Sequence, residues 1–291
     1  AGKYGREKIG EIFQSMKRYG NAQKGFEDAI GMDFEELTEQ WHKYIKKEYY
    51  PDVAGRDEVK DIAQRLTDHK KQKNFYNVSP TVSPDGSHIA VLSDRSGYMD
   101  IYLLDAISGK KVKRLIKGNR SIDFEELKFL QPGINWSPDS KKIVIAAKAG
   151  SSDALYLIDV KSGKQEKIPF ELDGVFTAAW SPDGNKLAFV GNEGGASDIY
   201  SYDLVSKELN NLTNDVFSDT EPSWSPDGSK IVFASDRGKN VDNQSIAVNE
   251  MISHNYSQKN IYTINLDSKK IVQITDTEYN ENYPIFSNTK N

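Results

Sequence analysis

Apolar residues in the first part of the chain recur at helical spacing. In "GREKIGEIFQSMKRYG" Ile9, Ile12, Phe13 and Met16 fall on one helical face, and Gly20 marks the stop. "NAQKGFEDAIG" predicts a short helix closing at Gly31. "DFEELTEQWHKYIKKEYYP" opens with Asp33 and carries Glu36 three residues on, the spacing of a capping box. Leu37, Trp41, Tyr44 and Ile45 make its stripe, and Pro51 is expected to end it. The charged stretch "GRDEVKDIAQRLTDHKKQKN" predicts one more helix or a linker. Residues 1–70 are therefore expected to form a small α-helical domain plus linker.

Beyond residue 70 the rhythm shortens. The phrase "WSPDGSKIVFASDR" has counterparts in "VSPDGSHIAVLSDR", "WSPDSKKIVIAAKA" and "WSPDGNKLAFVGNE". Their marker serines are Ser83, Ser137, Ser181 and Ser225, in steps of 54, 44 and 44 residues. A worn fifth copy, "YPIFSNTKN", puts a marker at Ser287 after a step of 62. Each unit has four short apolar pieces. The first ends at the marker, and the Pro-Asp-Gly that follows suits a tight reversal. The second and third ("KIVFAS", "NIYTIN") are apolar almost throughout, as strands covered on both faces should be. The fourth ("KKIVQIT") is more polar, as an outer edge should be. Four antiparallel strands every ~44 residues is the period of a propeller blade. The expected fold is mainly β: a β-propeller over 71–291 with four complete blades and the first strand of a fifth, an incomplete ring. A sandwich would not explain a fixed period.

The irregular steps locate two insertions. The ten extra residues of the first step are placed between blades one and two, about 117–131. The eighteen of the last lie between the second and third strands of blade four, about 238–259. In an up-and-down blade both sites emerge at one end of the disc, opposite the Ser-Pro-Asp-Gly turns. Insertions in repeat proteins often build the binding face. "DFEELKFL" (123–130) has capping-box spacing and predicts one or two helical turns. "SIAVNEMISHNY" (245–256) carries an apolar helical stripe. Packing of each stripe on the disc rim and contact with a partner both fit.

Charge and chemistry narrow this further. Lys plus Arg is 38 against 43 Asp plus Glu, net −5, which lacks the basic excess of a nucleic-acid binder. No run of about 18 apolar residues predicts a spanning helix. There is no cysteine, hence no disulfide, thiol chemistry or cysteine-based zinc site. No HExxH, GxSxG, Walker A or helix-opening GxGxxG is present. His42, His69, His88 and His254 do not gather into a ligand set. No catalytic residue, metal or cofactor is expected.

Asp85, Asp139, Asp183 and Asp227 recur in every turn, which argues for hydrogen bonds to turn amides. Asp105, Asp159, Asp203 and Asn265 end the third strands and are read alike. Trp136, Trp180, Trp224 and Phe286 share one inner-strand position, with Val82 in blade one, and are expected to pack between blades. At the insertion-bearing end stand Asp94, Arg95, Asp236 and Arg237, with Glu125, Glu126, His254 and Tyr256 in or beside the insertions. For the Asp-Arg pairs a local contact within the blade and a contact with a ligand are both open.

The phrases "PSWSPDGSKIVFASDR" and "NIYTINLDSKKIVQIT" resemble the WD40-like repeat of TolB-type propellers, over about 77–291. Ser-Asp-Arg survives in the first and fourth copies; the second reads Ala-Lys-Ala and the third Gly-Asn-Glu. The resemblance implies a non-catalytic protein-binding platform in the periplasm or elsewhere outside the cytoplasm, with a protein or peptide partner at the insertions. "FEDAIGMDFEELTEQWHKYIKKEYYPDV" resembles the C-terminal helical end of gluzincin-type metallopeptidases of the peptidase MA group. That implies an alternative, the substrate-recruiting or gating half of a zinc metallopeptidase whose catalytic part lies upstream. A start and an end within patterned segments lead us to expect a piece of a longer protein.

Overall fold

The computed structural model describes residues 3–54, 56–57, 59–119, 124–128, 133–150, 152–241 and 254–287. The chain divides into two compact units, Ala1–Gln64 and Arg65–Asn291.

The first unit is helical: α1 (Glu7–Tyr19), α2 (Ala22–Ile30), α3 (Phe34–Ala54) and the short α4 (Val59–Ile62). Gly20 and Gly31 take left-handed φ of 62° and 79° and close α1 and α2 through bonds to the Met16 and Glu27 carbonyls. Asp33 Oδ1 caps α3 by accepting the Glu36 N–H at 2.8 Å. Contrary to expectation, α3 runs through Pro51 to Ala54. The ring removes one donor, and the helix lasts only a further turn. A Cβ on Gly25 would lie 2.4 Å from Met16 Cγ, so the absent side chain lets α1 and α2 cross closely. These helices line an apolar groove of about 480 Å³ with Ile9, Ile12, Phe13, Met16, Phe26 and Ile30.

The second unit begins with the four-residue α5 (His69–Gln72), followed by four sheets. Blade one is β1 (Asn77–Val82), β2 (His88–Ser93), β3 (Asp100–Asp105) and β4 (Lys111–Ile116). Blade two has a divided inner strand, β5 (Glu126–Leu127) and β6 (Asn135–Trp136), then β7 (Lys142–Ala149), β8 (Ser152–Asp159) and β9 (Gln165–Pro169). Blade three is β10 (Gly174–Trp180), β11 (Lys186–Glu193), β12 (Ala196–Asp203) and β13 (Leu209–Asn211). Blade four is β14 (Asp219–Trp224), β15 (Lys230–Ser235), β16 (Asn260–Asn265) and β17 (Ile271–Gln273). Within each blade consecutive strands pair antiparallel, as four-stranded propeller blades require, except that β5 and β6 both take β7 as partner.

The core lies between blades. In β7, Ile143, Ile145 and Ala147 pack toward blade one, while Val144 and Ala146 pack toward blade three. Alternation therefore persists, but both faces meet a neighbour, which is why the strand reads as continuously apolar.

Inner strands carry a bulge at one register. Ser79, Thr177 and Glu221 each stand four residues before their marker serine, with φ of 54°, 28° and 59°. In blade two the bulge is enlarged. Leu127 pairs with Ala147 and Asn135 with Val144, so four more residues are accommodated here than between Asp219 and Ser223 in blade four. Part of the first insertion thus interrupts a strand rather than joining two blades, a correction to the 117–131 placement. The helical turns expected at 123–130 are also corrected: Glu126 and Leu127 are strand, because the backbone of β7 offers them ladder partners. Residues 242–253, which hold most of the second predicted stripe, lie outside the described residues. The fifth copy forms no ladder among the described residues, although Tyr283 keeps the repeat's positive φ of 55° and donates its N–H to the Glu221 carboxylate.

Candidate functional site

Antiparallel order puts the end of each second strand, the start of each third and the start of each inner strand at one end of the disc. Both insertions open there, as do the two Ser-Asp-Arg phrases.

In blade four the phrase turns inward. Arg237 is 1% exposed, and its guanidinium meets Asp219 at 2.6 Å and Asp215 at 2.9 Å. Its Nε donates to Ser235 Oγ at 3.0 Å. The rings of Phe217, Phe233 and Tyr262 surround it with centroids at 5.5, 5.3 and 5.6 Å. Burial pushes the Asp219 carboxyl up to about 7 against the pull of Arg237, and pushes Asp215 up as well. Burial also works against the guanidinium, but Asp219 and Asp215 outweigh it and the net shift is upward. Asp198 joins these two; one carboxylate oxygen from each lies within 4.8 Å of the others. Asp198 is held by Asn211 Nδ2 at 2.9 Å and Thr213 Oγ1 at 3.1 Å. A metal ion there would have to displace Arg237, which already serves as the cation. Asp236, 3% exposed, accepts the Ser218 N–H at 2.8 Å. His254 Nε2 stands 3.7 Å from its Oδ1, with the imidazole against Phe217 and Tyr256. Asp236 and Arg237 are thus internal, and of this group Tyr256 is exposed.

Blade one has the same phrase in a different setting. Asp94 accepts the Tyr76 N–H at 2.8 Å and the Phe75 N–H at 3.1 Å. Arg95 is partly exposed, reaches Asn77 Oδ1 at 3.3 Å and lies 5.3 Å from the Tyr102 centroid. Burial pulls its guanidinium down, partly offset by Tyr102. Glu125 and Glu126 have exposed side chains. Their backbones are tied to Lys148, through the Glu125 N–H at 3.0 Å and the Glu126–Lys148 pairing. The structure therefore brings Asp236, Arg237 and His254 into one neighbourhood, and sets Asp94 and Arg95 in another blade. Asp198, Asp215 and Asp219 escaped the sequence reading. Asp198 recurs as Asp100 in blade one and reads only as a strand start, while the other copies place different residues at the Asp215 and Asp219 offsets.

The opposite end is occupied with its own turns. In each phrase the marker serine Oγ donates to the turn aspartate at 2.5 to 2.7 Å. The same aspartate oxygen accepts the N–H two residues on. Trp136 and Trp224 are buried and donate their indole N–H to the Thr81 and Ala179 carbonyls of the preceding blade, at 3.0 and 3.1 Å.

Comparison with known proteins agrees with this architecture. Residues 128–250 match the TolB beta propeller domain family. The crystal structure of TolB from Acinetobacter baumannii superposes with a TM-score of 0.53 at 21% identity, over 71% of this chain and 45% of that one. A protein assigned as TolB in Agrobacterium tumefaciens gives 0.52 at 20% identity, over 69% of this chain and 66% of that one. The chain thus spans less than two thirds of either relative. A search of curated proteins finds no match. The second unit is a TolB-like β-propeller. No described helix is long and apolar enough to cross a membrane.

Proposed function

We propose that the propeller is a non-catalytic platform, outside the cytoplasm, that binds a protein or peptide at its insertion-bearing end. The observation that carries this is the asymmetry of the two ends. At the turn end the recurring carboxylates and hydroxyls are spent on the turns themselves. At the other end the chain departs from its repeat twice, and Glu125, Glu126, Tyr256 and part of Arg95 are left accessible. The family likeness supports a binding role, and its relatives' periplasmic setting supports the location. Deleting 240–257 tests the face. The expected outcome is an unchanged Tm with loss of a partner retained by the intact chain from extracytoplasmic extract. Equal retention, or unfolding of the deletion variant, removes the reading.

A second reading rests on the helical unit. Phe13, which lines the apolar groove, and Trp41, Tyr44 and Tyr50 are more than half exposed, as in a segment that ends a larger domain. In that reading the propeller recruits substrate for a zinc peptidase encoded upstream. An upstream HExxH with a third ligand supports it, and an upstream sequence without one rejects it.

A further inference from the structure

The two Ser-Asp-Arg phrases differ in what faces the arginine. Aligned on their marker serines, Asp219 in blade four corresponds to Asn77 in blade one, and Asp215 corresponds to Lys73. The strand register agrees: Asp219 pairs with Ser235 and Asn77 with Ser93. Arg237 Nη2 reaches Asp219 Oδ1 at 2.7 Å; Arg95 Nη2 reaches Asn77 Oδ1 at 3.3 Å. One site has two carboxylates on its arginine. The other has a neutral amide and, at the second position, an exposed lysine.

The local charges leave Arg95 unbalanced. Among the described residues no carboxylate comes within 4.0 Å of it, and its Nε is buried without a hydrogen-bond partner. The adjacent Asp94 is bound to the amides of Phe75 and Tyr76. Asp100, near Tyr102, is taken by Arg114 at 3.2 Å, Ser96 at 2.5 Å and the Gly118 N–H at 3.0 Å. A partly exposed guanidinium whose Nη2 is held by a neutral amide at 3.3 Å gains most from a planar, charged, bidentate acceptor. Blade four shows that a carboxylate fills that role at this register of the fold.

We propose that Arg95 is an open carboxylate-binding site. It takes an acidic side chain of a peptide or protein partner in the place that Asp215 occupies on Arg237, where blade one has only the exposed Lys73. Exposed Phe75 and Tyr76, whose amides hold Asp94, flank the approach with apolar surface. The inference deepens the proposed function by naming the chemistry of the partner, and it rests on that reading for the location of the face.

The test follows arginine side-chain Nε–H resonances of the whole chain. The probes are N-acetyl-aspartate amide, its asparagine analogue and inorganic phosphate. A saturable shift of Arg95 with the aspartate probe alone, with Arg237 unmoved, is the expected result. Asn77→Asp should rebuild the blade-four pair, abolish that shift and raise Tm by roughly 2–4 °C. In Arg95→Gln the backbone amide shifts that the aspartate probe produces at Tyr76 and Asn77 should vanish. No shift, an equal response to phosphate, or a lower Tm for Asn77→Asp overturns the proposal. The 240–257 deletion separates the two ideas. If it keeps its partner while Arg95 still binds the aspartate probe, the insertion face fails and the carboxylate site stands. If Arg95 is silent while the deletion loses its partner, the reverse holds.

Discussion

One hydroxyl organises each Ser-Pro-Asp-Gly turn. Ser225 Oγ donates to Asp227 at 2.6 Å and accepts the Lys230 N–H at 2.9 Å, so the turn satisfies itself without a ligand. The serine bond, then the Ser229 amide, holds the Asp227 carboxyl down to about 2; Ser83 and Ser87 do the same for Asp85. Their folded values lie below the ordinary 3.8. The stability they contribute is therefore complete above about pH 4 and lost as the pH falls toward 2. Denaturant titrations between pH 5 and 2 should show this decline, and the Asp85→Asn/Asp227→Asn double variant should decline less steeply. Arg237 acts in the opposite sense, as the cation that faces Asp219 and Asp215. Replacing it with Met leaves Asp219 and Asp215 without their counter-charge and should cost about 3–5 kcal/mol. A variant within about 1 kcal/mol of wild type by chemical denaturation would show that water or protonation neutralises the acids instead. The turn aspartates were legible because they recur in every copy. The acids around Arg237 were not, because Asp215 and Asp219 are matched by Lys73 and Asn77 in blade one. A pairing made once in a repeat leaves no periodic trace.

Neighbouring blades are joined by a tryptophan bond at two of the joints. Trp136 reaches Thr81 and Trp224 reaches Ala179, each from one blade to the inner-strand carbonyl before it. By repetition Trp180 should reach the Asn135 carbonyl. Its Nε1 is instead buried without a partner, and the Trp180 N–H takes the Asn135 side chain at 3.0 Å. That joint adjoins the enlarged bulge of blade two, which delivers the strand to Asn135 along a different path. Trp224→Phe should therefore cost about 1–2 kcal/mol more than Trp180→Phe, since only the former leaves a carbonyl unpaired. Equal losses of Tm would remove the indole bond as the difference. Sequence spacing located the tryptophans and their packing role, because strand order follows from the period. It misread the 123–130 stretch for a reason that also applies to other isolated windows. Asp-x-x-Glu favours a helical start locally, but an unpaired β7 edge makes strand the better use of the same backbone. Pro51 is the converse case: a strong local stop was overridden for one further turn of α3.

Stability in the propeller unit is built between blades, so each blade depends on how many neighbours it has. One cluster joins blades one and two through Ile101, Leu103, Ile143 and Ile145; a second joins two and three through Val144, Leu155, Leu187 and Phe189. A third joins three and four through Val190, Ile199, Phe233 and Tyr262. Among the described residues the other face of blade one has the small group of Val91, Tyr102 and Leu104, with Ile89 packed against it. Blades two and three are thus covered on both faces, and blades one and four share one large interface each. In arrays of this kind stability adds by nearest-neighbour terms, and terminal units open first. Native-state hydrogen exchange should rank amides of β7, β8, β11 and β12 slowest, with β1, β2 and β16 one class faster. Amides of α1 and α2 should be faster still, because Ser15 and Gly25 are the residues buried among their described positions. The ranking is sensitive to the mechanism. If all four blades exchange at one rate under EX2 conditions, the propeller opens in a single cooperative step, and the interface count does not govern it. If blade one alone is fast, its half-buried inner strand is the region that a carboxylate bound at Arg95 would hold in place. The aspartate probe should then slow exchange at Tyr76 and Asn77 before it affects any amide of blade three.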